Sequence, residues 1–190
     1  MSRDRHRKTL DALNLARHSR DGFPAGYAAE LRTLVAELAE RLAVPDEVRD
    51  QALRAASLHE LGKLGVDQTT LIADRSLSES ELSEVRRAPL IAQELVEAMP
   101  GYEAAADAVR HANERWDGNG YPDGLAGEAV PLASRIVAVA GAFQAMSAPR
   151  PFRAAMHVRA IRTEISAGAG TQFDPRVVAA MLDLIGPRAG

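Results

Sequence analysis

Cysteine is absent from the 190 residues, which excludes disulfides, thiolate zinc sites and cysteine nucleophiles together and leaves the redox compartment open. Aromatic side chains are scarce, at 4% with a single Trp, a balance that suits closely packed helices better than a β-sandwich. Excess charge of one sign is also missing: 23 basic residues face 26 acidic ones, a net charge of -3, so neither a nucleic-acid nor a membrane-surface partner is expected. No apolar run reaches signal-peptide or membrane-spanning length, and the start from Met1 to Lys8 is charged, so a cytoplasmic location is the expectation. What the chain has is a 46% apolar fraction rich in Ala, Leu and Val, at a length suited to one helical domain.

Leu31, Leu34, Val35, Leu38 and Leu42 recur at the three- and four-residue spacing that lines one face of a helix. Pro45 and Asp46 open a second helix on which Val48, Ala52, Ala55, Ala56 and His59 share a face, with Gly62 as its stop, so His59 points to the core or a cleft. Ser78 with Glu81 reads as a capping box for a short helix to about residue 87, and beyond Pro89 residues 91–99 continue helically. Residues 102–116 read as another helix. Residues 117–131 are too punctuated by Gly and Pro for a regular element and predict an ordered loop or hairpin-like excursion. Residues 134–146 are nearly all apolar or small and predict the most buried helix. In the last helix Asp174 is the N-cap, Pro175 the first position, and Val177, Val178, Met181, Leu182 and Ile185 the buried stripe.

Three segments in order, His59-Glu60-Leu61-Gly62-Lys63, Glu114-Arg115-Trp116-Asp117-Gly118-Asn119-Gly120-Tyr121-Pro122-Asp123-Gly124 and Gly170-Thr171-Gln172-Phe173-Asp174-Pro175, resemble the HD-GYP family of bacterial signalling phosphodiesterases. Arg150-Pro151-Phe152-Arg153 is similar to the family's Arg-Pro-Tyr-Arg stretch. The resemblance implies an all-α fold, an HD-domain helical bundle with an ordered Gly-Tyr-Pro loop, over residues 21–186. Residues 1–20 form an N-terminal segment, helical or partly disordered. Family members with intact sites hydrolyse cyclic di-GMP at a two- or three-metal centre.

Such hydrolysis needs imidazoles and carboxylates converging on adjacent cations that activate water and offset charge on the phosphate. Where the resemblance places a Glu and a His on the first core helix, the chain has Phe23 and Tyr27. The signature His-Asp pair is His59-Glu60, and the extra methylene displaces a bridging carboxylate by about 1 Å. Three further histidine positions are Ala88, Ala112 and Asn113, and the aspartate positions of the buried helix are Gly141 and Gln144. His111 lies one residue before the missing pair, a rotation of about 100° along a helix. This domain is therefore expected to be degenerate, with no catalytic residues beyond the remnant His59 and Glu60. No cofactor is expected, since a metal held weakly at those two residues alone would compete poorly with water and buffer ligands.

The bland reading of His59 is a hydrogen-bonded core histidine, and of Glu60 a partner for Lys63. By resemblance, Lys63, Arg150 and Arg153 occupy positions that contact dinucleotide phosphates, and basic side chains alone can retain an anion. Trp116 reads as a packing anchor, and Tyr121 as either an anchor or a stacking platform. Asp117, Gly118, Gly120, Tyr121 and Pro122 make the loop that the resemblance associates with GGDEF-type diguanylate cyclase domains. The leading expectation is a non-catalytic signalling module that binds such a protein partner through this loop. The alternatives are a metal-free cyclic di-GMP sensor and a phosphohydrolase with a reduced site. About twenty residues before the helices are too few for an input domain, so input is expected by association, with a homodimer through the apolar N-terminal face also compatible.

Overall fold

Gly26, at φ 92°, turns the chain into α1 (Tyr27–Arg41), which buries Tyr27, Leu31, Val35, Leu38 and Ala39 along one stripe. The structure, a computed structural model, describes residues 12–14, 26–149 and 154–186. Phe23, Arg150, Arg153 and the N-terminal segment, apart from helical residues 12–14, lie outside the described residues. α2 (Asp46–Leu58) begins after Pro45, carries Asp46 and Glu47 at its positive end, and buries Ala52, Ala55, Ala56 and Leu58. A 3-10 turn (Leu61–Gly65) and the short α3 (Gln68–Leu71) lead to α4 (Glu79–Glu97), which opens on the expected Ser78/Glu81 capping box. A 3-10 turn (Glu103–Ala105) precedes α5 (Ala106–Arg110), and α6 (Leu132–Ser147), α7 (Val158–Ala167) and α8 (Pro175–Leu184) complete an all-helical bundle. Among the described residues the extended pairings are two isolated bridges, Asp117 with Ala126 and Ala169 with Phe173.

α6 is the central element, packed against α1, α2, α5, α7 and α8. Its small side chains let five helices approach, and Ile136, Val137, Val139 and Ala140 are fully buried. Each of the three larger ones contributes about 1.5–3 kcal/mol through burial. α8 starts as its sequence predicts, with the Asp174 carboxylate accepting from the Arg176 amide and Pro175 in the first turn.

Three readings are corrected. Residues 79–97 form one helix with Pro89 inside it, not two pieces. Proline's missing N–H costs one bond, but α4 is held from outside by the turn Leu61–Gly65, where Gly62 lies against the backbone of Ala88 and Ala92. Residues 102–116 do not make one helix: α5 ends at Arg110, because after Ala112 the backbone bonds turn to the following loop and to residues 171–172 ahead of α8. Gly62 likewise is not a simple stop, since α2 ends at Leu58 and the glycine sits within the 3-10 turn.

Candidate functional site

The end of α2, the turn after it, α4, residues 112–122 and the middle of α6 enclose a cleft of about 850 Å³. His59 closes α2, half-buried on the cleft wall, with its Nδ1 3.0 Å from the Ala55 carbonyl oxygen. Glu60 accepts from Lys63 Nζ at 2.5 Å, and both line the cleft. Arg86, which sequence reading passed over, also lines it from α4, as does Arg115 from beside the loop. Arg86 carries no motif signal of its own; only the docking of α4 onto the turn Leu61–Gly65 brings it there.

The Gly-Tyr-Pro loop is built onto the strand of backbone before it. A Cβ on Gly120 would fall 2.3 Å from the Arg115 nitrogen and 2.5 Å from the Glu114 Cα, so only glycine lets the chain lie this close. The Tyr121 amide donates to the Asn113 carbonyl at 3.3 Å, and the Tyr121 hydroxyl donates to Asn113 Oδ1 at 3.4 Å; the Tyr121–Pro122 peptide is cis. Tyr121 is thus half-buried in the cleft wall, and burial raises its phenol above the usual range, opposed by the nearby Arg86 charge. Outside the cleft lining the loop offers Asp117, Asp123 and Gly124, all exposed, with Gly118 half-buried, whereas Asn119 and Pro122 line the cleft with Tyr121.

Both ends of the loop are fastened by charge. Arg115 forks onto Asp117 at 3.0 and 2.7 Å and, with the Asn119 amide, holds that carboxyl well below the usual carboxylate range. At the far end Arg110 grips Asp123 at 2.6 and 2.7 Å while His111 Nε2 lies 2.8 Å from it, and Asp123 is lowered to about 2, chiefly by Arg110. Buried Glu114 accepts from the Asp123 and Gly124 amides at 2.7 and 3.0 Å. His111 is therefore turned to Asp123 and Asp107, outside the cleft lining. Because Asp123 titrates lower folded than its unfolded value near 3.9, its contribution is complete above that value and lost as pH falls through about 2. The urea-midpoint difference between the unaltered chain and Asp123→Asn is expected to close between about pH 4 and 2.

Trp116 packs under Arg135, whose guanidinium lies 5.6 Å from the ring centroid, consistent with an anchoring role. The Trp116 and Asp117 amides donate to the Gln172 and Thr171 carbonyls at 3.2 and 2.8 Å, so the second and third sequence segments meet in space.

At the positions where the resemblance implies metal ligands, Tyr27, Ala112, Asn113 and Gly141 line the cleft, and Ala88 is buried on α4 beside Gly62. A Cβ on Gly141 would meet nothing within 4 Å, and the Asn113 side-chain oxygen is already bonded to Tyr121. Gln144 is buried and donates to the Tyr27 carbonyl at 2.5 Å. Among the described residues no three His, Asp or Glu side chains converge to hold a metal ion. These donors do not fit a two- or three-cation centre.

A profile of the HD domain family matches residues 14–177. The chain belongs to the HD domain family. This HD domain is 37% identical over 182 residues to the cyclic di-GMP phosphodiesterase response regulator RpfG of Xanthomonas campestris pv. campestris, covering 94% of the chain and 48% of that protein. It is 31% identical over 159 residues to the 3'3'-cGAMP-specific phosphodiesterase 3 of Vibrio cholerae, covering 84% of the chain and 35% of that protein. The chain therefore spans half or less of the length of these relatives. Among solved structures, a cyclic GMP-AMP specific phosphodiesterase of V. cholerae superposes with a TM-score of 0.63 at 19% identity, covering 93% of the chain and 48% of that one. Bd1817, an HDGYP protein of Bdellovibrio bacteriovorus, gives 0.62 at 15% identity over 84% of the chain and 51% of its own, and both likenesses concern the fold. Among the described residues no helix of the HD domain is long and apolar enough to cross a membrane.

Proposed function

We propose that this HD domain is a non-hydrolytic signalling module whose cleft takes a cyclic dinucleotide without metal. The observation that supports it is the cleft itself: about 850 Å³, rimmed by Lys63, Arg86 and Arg115, with Tyr27 and Tyr121 in its walls and small side chains where imidazoles and an aspartate would be needed. That volume lies within the range of sites that enclose a small-molecule ligand. Relatives that act on cyclic di-GMP and 3'3'-cGAMP supply the ligand class.

Hydrolysis by a dinuclear centre requires water activated between fixed cations, and His59 with Glu60, the latter tied to Lys63, offers too few ligands to fix them. Calorimetry in EDTA is expected to show cyclic dinucleotide binding that weakens with salt and is unchanged by manganese, with no linear product by chromatography. Metal-dependent turnover above that of His59→Ala, with stoichiometric metal in the purified protein, would instead establish the reduced-site phosphohydrolase. Absence of heat at high dinucleotide concentration would remove the ligand reading.

A second reading, docking of a GGDEF-type domain on the loop, is favoured by the exposed side outside the cleft at Asp117, Asp123 and Gly124. Tyr121, turned into the cleft, would support that face from behind. A GGDEF-type domain that fails to bind the unaltered chain excludes this reading.

A further inference from the structure

The cations of the cleft are not equivalent. Lys63 is engaged with Glu60 at 2.5 Å, and Arg115 is engaged twice with Asp117. Arg110, nearby on α5, is spent on Asp123 and on Gln93 Oε1 at 2.7 Å. Arg86 differs: among the described residues no carboxylate lies within ion-pair distance of it and no acceptor takes its hydrogen bonds, although it lines the cleft. Arg86 and its neighbour Arg87 are both exposed, but only Arg86 lines the cleft, so it is cleft lining and not burial that separates the two adjacent arginines.

Backbone packing fixes where Arg86 stands relative to Lys63. A Cβ on Gly62 would fall 1.8 Å from the Ala88 carbonyl oxygen and 2.9 Å from the Ala92 nitrogen, so the turn and α4 touch main chain to main chain. Lys63 follows Gly62 directly and Arg86 precedes Ala88 by two residues, so one rigid seam carries both. The Arg86 charge also reaches the Tyr121 phenol, where it opposes the upward effect of burial.

We infer that Arg86 is the anion-engaging residue of this cleft: its guanidinium fork, beside the Lys63 ammonium, takes a phosphate of a guanine-containing dinucleotide and supplies the counter-charge that metal ions would otherwise provide. The chemistry fits, since a guanidinium presents paired donors matched to two phosphate oxygens and stays charged at every accessible pH. Lys63, by contrast, enters the cleft already half-neutralised by Glu60. The inference rests on the cleft being a ligand site, and its test separates the two.

The unaltered chain, Arg86→Ala, Arg86→Lys and Arg87→Ala are titrated with cyclic di-GMP, with the linear dinucleotide pGpG and with inorganic pyrophosphate, after thermal melts confirm that all four are folded. Arg86→Ala is expected to weaken cyclic di-GMP binding about tenfold at low salt, Arg86→Lys to recover part of the loss, and Arg87→Ala to change it less than about twofold. Equal weakening by Arg86→Ala and Arg87→Ala would reduce the effect to net charge and overturn the inference. Unchanged affinity in Arg86→Ala would overturn it while leaving the cleft's function standing. Binding of pGpG or pyrophosphate that depends on Arg86, with no cyclic dinucleotide binding, would uphold the inference and remove the functional reading. No binding of any of the three probes would overturn both.

Discussion

Replacing Asp174 with Ala is expected to lower the unfolding free energy by about 3–5 kcal/mol, because it strands a buried cation and removes a helix cap in one step. The Asp174 side chain is fully buried and accepts from Arg135 Nη1 at 2.8 Å, while its other oxygen accepts from the Arg176 amide at the same distance. Arg135 is itself largely buried, and among the described residues its Nε has no hydrogen-bond partner, so without Asp174 the guanidinium keeps its charge with little to answer it. Asp174→Asn retains an oxygen for the cap and is expected to cost less. Urea unfolding followed by fluorescence measures both, since the single Trp lies against Arg135 and reports on this junction directly. A loss below about 1 kcal/mol for Asp174→Ala would show that water reaches Arg135 readily and that the pair adds little.

Gly62→Ala is the second large effect, expected at about 3 kcal/mol or more. The added methyl meets a carbonyl oxygen and a backbone nitrogen of α4, not the end of a pliable side chain, so the turn Leu61–Gly65 or the helix must shift. The consequence reaches beyond stability. Because Lys63 and Arg86 sit on either side of that contact, folded Gly62→Ala protein is expected to bind dinucleotide more weakly than Lys63→Ala alone, as both cations lose their spacing. Gly141→Ala is the matched control: its Cβ enters open cleft space, and the stability should be close to that of the unaltered chain.

The helical bundle was readable from periodicity because the apolar stripes of α1 and α8 and the uninterrupted small residues of α6 are local signals that the packing then uses. The capping residues Ser78 and Asp174 were legible for the same reason: a cap is written within three residues of the backbone it satisfies. Pro89 misled because its effect depends on what supports the helix from outside, here Gly62, twenty-seven positions away. The early end of α5 was hidden likewise, as the Asn113 carbonyl is claimed by the loop and the Trp116 and Asp117 amides by residues 171–172. At the site, motif spacing located His59, Glu60, Lys63 and Tyr121, all of which line one cleft. Motif context gave no sign of Arg86, nor of the inward turn of Tyr121, since both follow from the tertiary approach of α4 and from the Asn113 bond.

Apart from Asn113, which takes the two Tyr121 bonds, what fastens the loop lies outside the positions where the resemblance implies metal ligands. Glu114 holds two amides, Gly120 rests on backbone, and Arg110 and Arg115 clamp the ends through Asp123 and Asp117. The loop's geometry therefore depends little on which residues stand at the implied ligand positions. A pattern search keyed on Gly120-Tyr121-Pro122 reads the loop's fold and is silent on what stands at positions 27, 88, 112, 113 and 141.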